Sequence, residues 1–173
     1  MTKREVEVVV SCGRGMLTQG DWSAPVSTGR EGCIAAGEGR EGDAKTPLGR
    51  YALRFGFVRA DRLPAPDTAL TMHALSEDDG WCDDPGHPAY NRWITLPFAA
   101  SHERLWREDG AYDVVLVMSH NDSPPVAGLG SAVFIHIRQP DHRPTLGCIA
   151  LAPADMLALL RRVGPGTVVD VRG

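Results

Sequence analysis

The sequence predicts a mostly β fold with one or two short helices, in a single domain covering residues 1–173. Three observations predict it. The chain has 173 residues, 43% hydrophobic and 23% charged, which is enough apolar material for one core and excludes disorder. Its 19 Gly and 13 Pro are spread along the whole length, as in short strands joined by turns. Most apolar runs are short and bounded by turn residues, and one segment alone carries full helix start and stop signals.

In chain order, Glu5 to Ser11 reads as a strand and Cys12 to Gly15, CGRG, as a turn. Pro25 to Thr28 and Gly32 to Ala36 read as further strands, followed by a glycine-rich polar loop from Gly37 to Gly49. Arg50 to Val58 alternates and predicts a longer strand. Ala69 to Ala74, Trp93 to Leu96, Asp113 to Met118 and Ala132 to Ile137 follow, the last two so apolar that burial on both faces is expected. Ser101 to Trp106 is read as a short helix. The strong helix starts with Ala152 as cap, Pro153 in its first turn and Asp155 favouring the dipole. Leu157, Leu160 and Val163 lie at helical spacing, Arg161 and Arg162 suit the last turn, and Gly164 stops it. Val168 to Val171 is the closing strand.

Composition also narrows the function. No run of about 18 apolar residues occurs, so no membrane span is predicted. The formal charge of -4 points away from a nucleic-acid partner. The excess of 16 Arg over 2 Lys carries no functional weight. The start, MTKREVEVVVSC, is not a secretory signal peptide; a cytoplasmic protein, a trimmed mature form and export by another route all fit it. Oligomeric state leaves no trace in the sequence. Cys12, Cys33, Cys82 and Cys148 form no CxxC pair, which argues against a zinc ribbon. The first three are read as structural, and a disulfide between two of them is open.

Chemistry concentrates in FIHIRQPDHRPTLGCIALAPADM, Phe134 to Met156. An apolar strand ends near His136, a polar Pro-rich loop follows, and Cys148 stands after Gly147, shortly before the helix. A cysteine attacks as its thiolate, and a histidine or a helix N-terminus promotes that state. The loop can bring imidazole to sulfur, and Gly147 allows close backbone approach, with the amides of Gly147 and Cys148 facing a developing oxyanion. Two other readings stay open at this point. Both residues can be ordinary core side chains, or His136, His142 and Cys148, with His120, can supply metal ligands.

These residues resemble the signature of the YkuD-type L,D-transpeptidases, in which a histidine follows an apolar strand and a Ser/Thr-His-Gly-Cys motif follows a loop. Ile135-His136 matches the first part and Thr145-Leu146-Gly147-Cys148-Ile149 the second, with Leu151 and Asp155 fitting downstream. EGDAKTPLGRYAL, Glu41 to Leu53, is similar to the family's GDxxTPxGxF strand entry. With Gly80 to Arg92, GWCDDPGHPAYNR, and Ser119 to Asp122, SHND, the whole chain resembles a compact proteobacterial branch. The resemblance implies a β-sandwich-like fold with a helix beside the site. It implies Cys148 as nucleophile, His136 as base and the Gly147 and Cys148 amides as oxyanion hole. It also implies peptidoglycan stem peptides as donor and acceptor, no cofactor or metal, a periplasmic or cell-envelope location and acylation by carbapenems.

Three departures stand out: Leu146 replaces the motif's second histidine, Ala150 stands where Arg or Asn is frequent, and only eight residues separate His136 from Thr145. They leave the bond made open, either L-alanine to diaminopimelate or diaminopimelate to diaminopimelate, with a lean to the first. A hydrolase acting through water and a binding module without turnover are the rival functions.

Further candidates for substrate contact lie in loops. Trp81, Asp84, Tyr90, Asn91 and Arg92, with Asp83, cluster in a turn-rich segment suited to an amino sugar or an amine, or to plain turn chemistry. His120 and Asn121 leave a buried strand, to orient His136, bind an acceptor or cap the strand. Arg138 and His142 in the loop suit a stem-peptide carboxylate, and Thr145 suits a hydrogen bond near the sulfur or a turn. Glu41 and Asp43 read as turn residues.

Overall fold

The computed structural model describes residues 5–173; the charged start, Met1 to Arg4, lies outside them. The chain forms β1 (Glu7–Ser11), β2 (Met16–Gln19), β3 (Trp22–Ser27), β4 (Cys33–Ile34), β5 (Thr46–Pro47), β6 (Gly49–Val58) and β7 (Met72–Ala74). There follow β8 (Asp79–Cys82), β9 (Trp93–Thr95), β10 (His102–Arg104), β11 (Val114–Met118), β12 (Phe134–Ile137), β13 (Ile149–Leu151), α1 (Pro153–Leu160) and β14 (Val168–Arg172).

Nine strands join in the order β11-β12-β13-β3-β2-β1-β14-β6-β7, and β6 also pairs with β11. All but β7 therefore close into a ring. The length of β6 makes this possible: Gly49 to Ala52 pairs with β14, and Leu53 to Val58 pairs with β11. The ring packs around one core of Val8, Val10, Leu17, Leu53, Leu116, Ile135, Ile149 and Leu151, with Met156, Leu159 and Leu160 of α1 added from the helix. This is the β-sandwich-like arrangement that the resemblance implied. A second apolar cluster, with Phe57, Trp81, Leu105, Tyr112, Val115 and Phe134, lies on the opposite face of β6, β11 and β12, towards the small sheet β10-β8-β9.

Several elements differ from expectation. Ser101 to Trp106 is not a helix: His102 to Arg104 pairs as β10 with Gly80 to Cys82, and Leu105 is wholly buried in the second cluster. Strand pairing to a buried neighbour outweighed local propensity there. β2, β5, β8 and β13 were not anticipated, being two to four residues long. α1 starts as read, with the Met156 N–H donating to the Ala152 carbonyl at 2.9 Å, but it stops at Leu160, so Arg161 and Arg162 follow the helix. Its buried face is Met156, Leu159 and Leu160, while Leu157 is 40% exposed. β11 is buried throughout, whereas His136 and Ile137 of β12 are only half-buried. Cys12 and Cys33 form a disulfide, leaving Cys82 buried and Cys148 half-buried as free thiols.

Candidate active site

Pairing places the two central residues on one face. His136 stands between Val115 on β11 and Ala150 on β13. Partners across a ladder share a face and alternate residues return to it. Two residues before Ala150, Cys148 therefore shares the face of Phe134 and His136, and both it and His136 line one cavity of about 460 Å³.

His136 Nδ1 lies 3.0 Å from the Ile137 carbonyl oxygen. A carbonyl only accepts, so Nδ1 carries the proton and Nε2 keeps the lone pair of a base. Burial holds the His136 pKa below its usual value; the Ile137 carbonyl opposes this and the Arg107 charge adds to it. The imidazole is thereby neutral at neutral pH.

The sulfur of Cys148 accepts from the Phe134 amide at 3.4 Å and faces the Ala132 carbonyl at 3.2 Å. Burial pushes its thiol up to about 12, and the nearby Glu103 charge acts in the same direction; the Phe134 amide and Arg107 oppose them. The expectation of a thiol lowered by the helix terminus and histidine is thus reversed. Cys148 precedes β13 rather than α1, so no helix terminus stands beside its sulfur to offset the burial.

The loop before the sulfur is locked by Thr145. Its Oγ1 donates to the Cys148 carbonyl at 2.6 Å and accepts from the Gly147 amide at 3.1 Å. Its backbone joins Thr28 and Arg30, each at 2.9 Å. Thr145 is thus a staple of the turn. The Gly147 amide is engaged there, while the Cys148 amide has no intramolecular acceptor among the described residues. The two-amide oxyanion hole expected from the sequence is reduced to one free donor. Gly147 itself has φ of +131°, and a Cβ there would lie 2.9 Å from the Lys45 carbonyl oxygen, so glycine is required.

The cavity also takes in His120, whose Nδ1 is buried without a hydrogen-bond partner among the described residues and whose pKa is lowered by burial. Leu146, on the rim, is 73% exposed.

Most of the other candidates are scaffold. Trp81 is buried against Phe134, and its Nε1 donates to Asn91 Oδ1 at 2.9 Å. Asn91 is a buried hub: its Nδ2 donates to the carbonyls of His120 and Asn121, and its Oδ1 accepts from the Ala132 amide. Tyr90 is buried, donating to Glu41 and accepting from the Gly130 amide. Asp84 closes its own turn through the Gly86 amide, and Asn121 braces the 121–130 loop through Val126 and Gly130. Arg92 is exposed and donates to the Asp122 carbonyl. Arg138 lines a separate apolar cavity of about 240 Å³ beside Pro153 and Leu157. His142 is exposed with φ of +56°. No metal-holding group of three or more His, Cys, Asp or Glu is present among the described residues, so the metal reading finds no donor set.

Sequence reasoning missed Glu103, Arg107 and Tyr112 on the cavity wall. Burial first holds the Glu103 carboxyl above its usual range, with Tyr112 and Arg107 opposing. The charged run HERLWRED, His102 to Asp109, was the available signal.

A model of the L,D-transpeptidase catalytic domain family, YkuD, matches residues 7–171. No curated protein is significantly similar in sequence. Among solved structures, Mycobacterium tuberculosis L,D-transpeptidase 1 aligns at 15% identity over 98% of this chain and 62% of its own, with a TM-score of 0.44. L,D-transpeptidase 3 of the same organism, in complex with a faropenem-derived adduct, aligns at 15% identity over 98% and 60%, with a TM-score of 0.48. The helical cell shape determining protein Pgp2 of Campylobacter jejuni aligns at 14% identity over 97% and 47%, with a TM-score of 0.49. The chain thus spans roughly half to three fifths of those proteins. With the family model matching residues 7–171, the chain belongs to the YkuD family of L,D-transpeptidase catalytic domains.

Proposed function

We propose that this chain is a peptidoglycan L,D-transpeptidase working through Cys148 and His136. The observation that carries the proposal is the tautomer set by Ile137: it leaves His136 Nε2 as a base on the same face, and in the same cavity, as the Cys148 sulfur. The thiol and imidazole are both neutral at rest, so proton transfer accompanies attack rather than preceding it. Nε2 takes the thiol proton as sulfur bonds to a stem-peptide carbonyl carbon. The Cys148 amide supports the oxyanion. The tetrahedral adduct collapses, and the amine of the distal residue leaves with the proton from the imidazolium. A diaminopimelate amine then attacks the thioester, gives its proton to His136, and the thiol re-forms. These steps use no metal or organic cofactor. The product is an L-alanine–diaminopimelate link or a diaminopimelate–diaminopimelate link; water in place of the amine would make the same site a peptidase.

The envelope is the proposed location, and the Cys12–Cys33 disulfide suits its oxidising chemistry. No helix among the described residues is long and apolar enough to cross a membrane.

One observation favours a second reading: a thiol pushed up to about 12 suits a peptidoglycan-binding module without turnover. Incubating disaccharide-tetrapeptide with wild type and Cys148→Ala, followed by fragmentation mass spectrometry, decides. Dimers from wild type alone establish transfer and identify the donor residue; shortened monomers alone establish a peptidase; unchanged substrate with folded protein leaves the binding module. A carbapenem is expected to add its mass to wild type and not to Cys148→Ala, read by intact-protein mass spectrometry.

A further inference from the structure

The proposed reaction leaves one group of cavity residues unused. Tyr112 is buried, and its O–H donates to the Glu103 carboxylate. The Arg107 guanidinium lies 4.8 Å from the centre of the Tyr112 ring and 3.8 Å from that carboxylate. Arg107 is held in turn by Asp109, which also accepts from the Ala111 amide. The Tyr112 ring meets His136 at 5.2 Å between centroids and 67° between planes, and meets Phe134 at 6.0 Å and 81°.

One hydrogen bond from Nδ1 leaves an imidazole free to rock about that bond. A fixed aromatic edge against the ring removes the freedom, and such contacts have a preferred geometry of their own. We propose that Tyr112 is a positioning residue for His136, with Glu103 and Arg107 holding the phenol in place. The inference rests on the reading of His136 and Cys148 as a working pair, and it asks for nothing about which peptide bond is made.

Charge provides a readout that packing alone would not move. Glu103 lines the same cavity as Cys148, and its charge reaches the thiol. From the glycine-rich loop, Glu41, Asp43 and Lys45 face the same space; from the small sheet, Asp83 and His102 do. Arg40, Asp109, His120 and Arg143 complete the titratable groups around the pair. Among these, the Glu103 charge acts directly against thiolate formation, and Arg107 favours it.

The test uses the full chain with Tyr112→Phe, Tyr112→Leu, Glu103→Gln and His136→Ala. The rate of iodoacetamide addition at Cys148, read by peptide mass so that Cys82 does not interfere, is followed against pH. Muropeptide turnover is measured beside it. Tyr112→Leu is expected to lose about tenfold or more in alkylation near neutral pH, because a displaced base assists poorly. Tyr112→Phe, which keeps the ring and loses its anchor, should recover most of that loss. Glu103→Gln should move the alkaline limb of the profile to lower pH while slowing turnover through kcat rather than KM. A wild-type alkylation rate in folded Tyr112→Leu, or, where that variant does not fold, a wild-type profile and turnover in Glu103→Gln, with His136→Ala slow, would overturn the inference and leave the pair intact. Muropeptides untouched by wild type, with alkylation shifted as expected, would instead remove the transpeptidase reading and leave the positioning role standing.

Discussion

At the scale of single residues, His136 and Cys148 are held in their uncharged forms by the same cause, loss of water. The signs of the consequences are opposite. Cys148 has its pKa raised from 9.0 to about 12, so the folded protein keeps a proton that the unfolded chain gives up. Its contribution to stability is fully present below pH 9 and is lost as pH climbs through 9 towards 12. Wild type should therefore lose stability relative to Cys148→Ala over that window, by on the order of a few kcal/mol, measured as denaturation midpoints at successive pH values. His136, lowered from 6.5, works the other way: stability falls as pH drops below 6.5, and the acid limb of activity should lie below that value. Gly147 is the other sensitive position. Gly147→Ala should cost about 1–3 kcal/mol and most of the activity, since both the backbone angle and the Lys45 carbonyl exclude a side chain; urea unfolding and muropeptide turnover would measure the two effects.

Residue chemistry also explains what could be read in advance. His136 and Cys148 were visible because a histidine ending an apolar strand and a cysteine after glycine are unusual neighbours on one loop. Trp81 and Asn91 were misplaced because turn-forming Asp, Pro and Gly surround them, and those neighbours conceal a short buried strand. Arg138, read as a loop residue for a stem-peptide carboxylate, lines the smaller cavity instead; it lies past the end of β12, where alternation no longer fixes direction. Glu103 was passed over although it stands in the charged run HERLWRED: its segment was read as a helix, and pairing with β8 is what points it at the site.

At the scale of elements, α1 gives the cleanest contrast. Its apolar side chains look interchangeable in sequence, yet Met156 is wholly buried and Leu157 is 40% exposed. Met156→Ala should cost about 2–5 kcal/mol, and Leu157→Ala about 0.5 kcal/mol or less, in chemical denaturation. Equal losses would mean that the helix is rotated about its axis relative to the sheet. The sequence marked where this helix begins, through Ala152 and Pro153, better than where it ends. Its last turn is decided by packing: Leu160 is buried, and the Arg162 side chain bonds back to the Ala158 carbonyl at 2.8 Å.

At the scale of the whole molecule, the Cys12–Cys33 disulfide links residues 21 apart and ties the end of β1 to β4. β4 pairs with β5, and the chain just ahead of each meets the turn at Thr145 to Gly147, through Gly29 and Arg30 before β4 and Lys45 before β5. Removing the bond with Cys12→Ser and Cys33→Ser together should cost about 2–4 kcal/mol, seen as a lower Tm. The same variant should show faster amide exchange in the 29–47 segment. Four cysteines in the sequence allowed several pairings, and only the folded chain brings these two within reach.

The closed ring of strands has a consequence for life in a crowded compartment. A strand edge with free amides and carbonyls recruits other chains into shared sheets. Closure through β6 leaves the large sheet with one terminal strand, β7, and that strand is three residues long. Too little backbone is left on offer there to template a neighbour, so the architecture that presents the cavity also protects the large sheet from edge-to-edge addition.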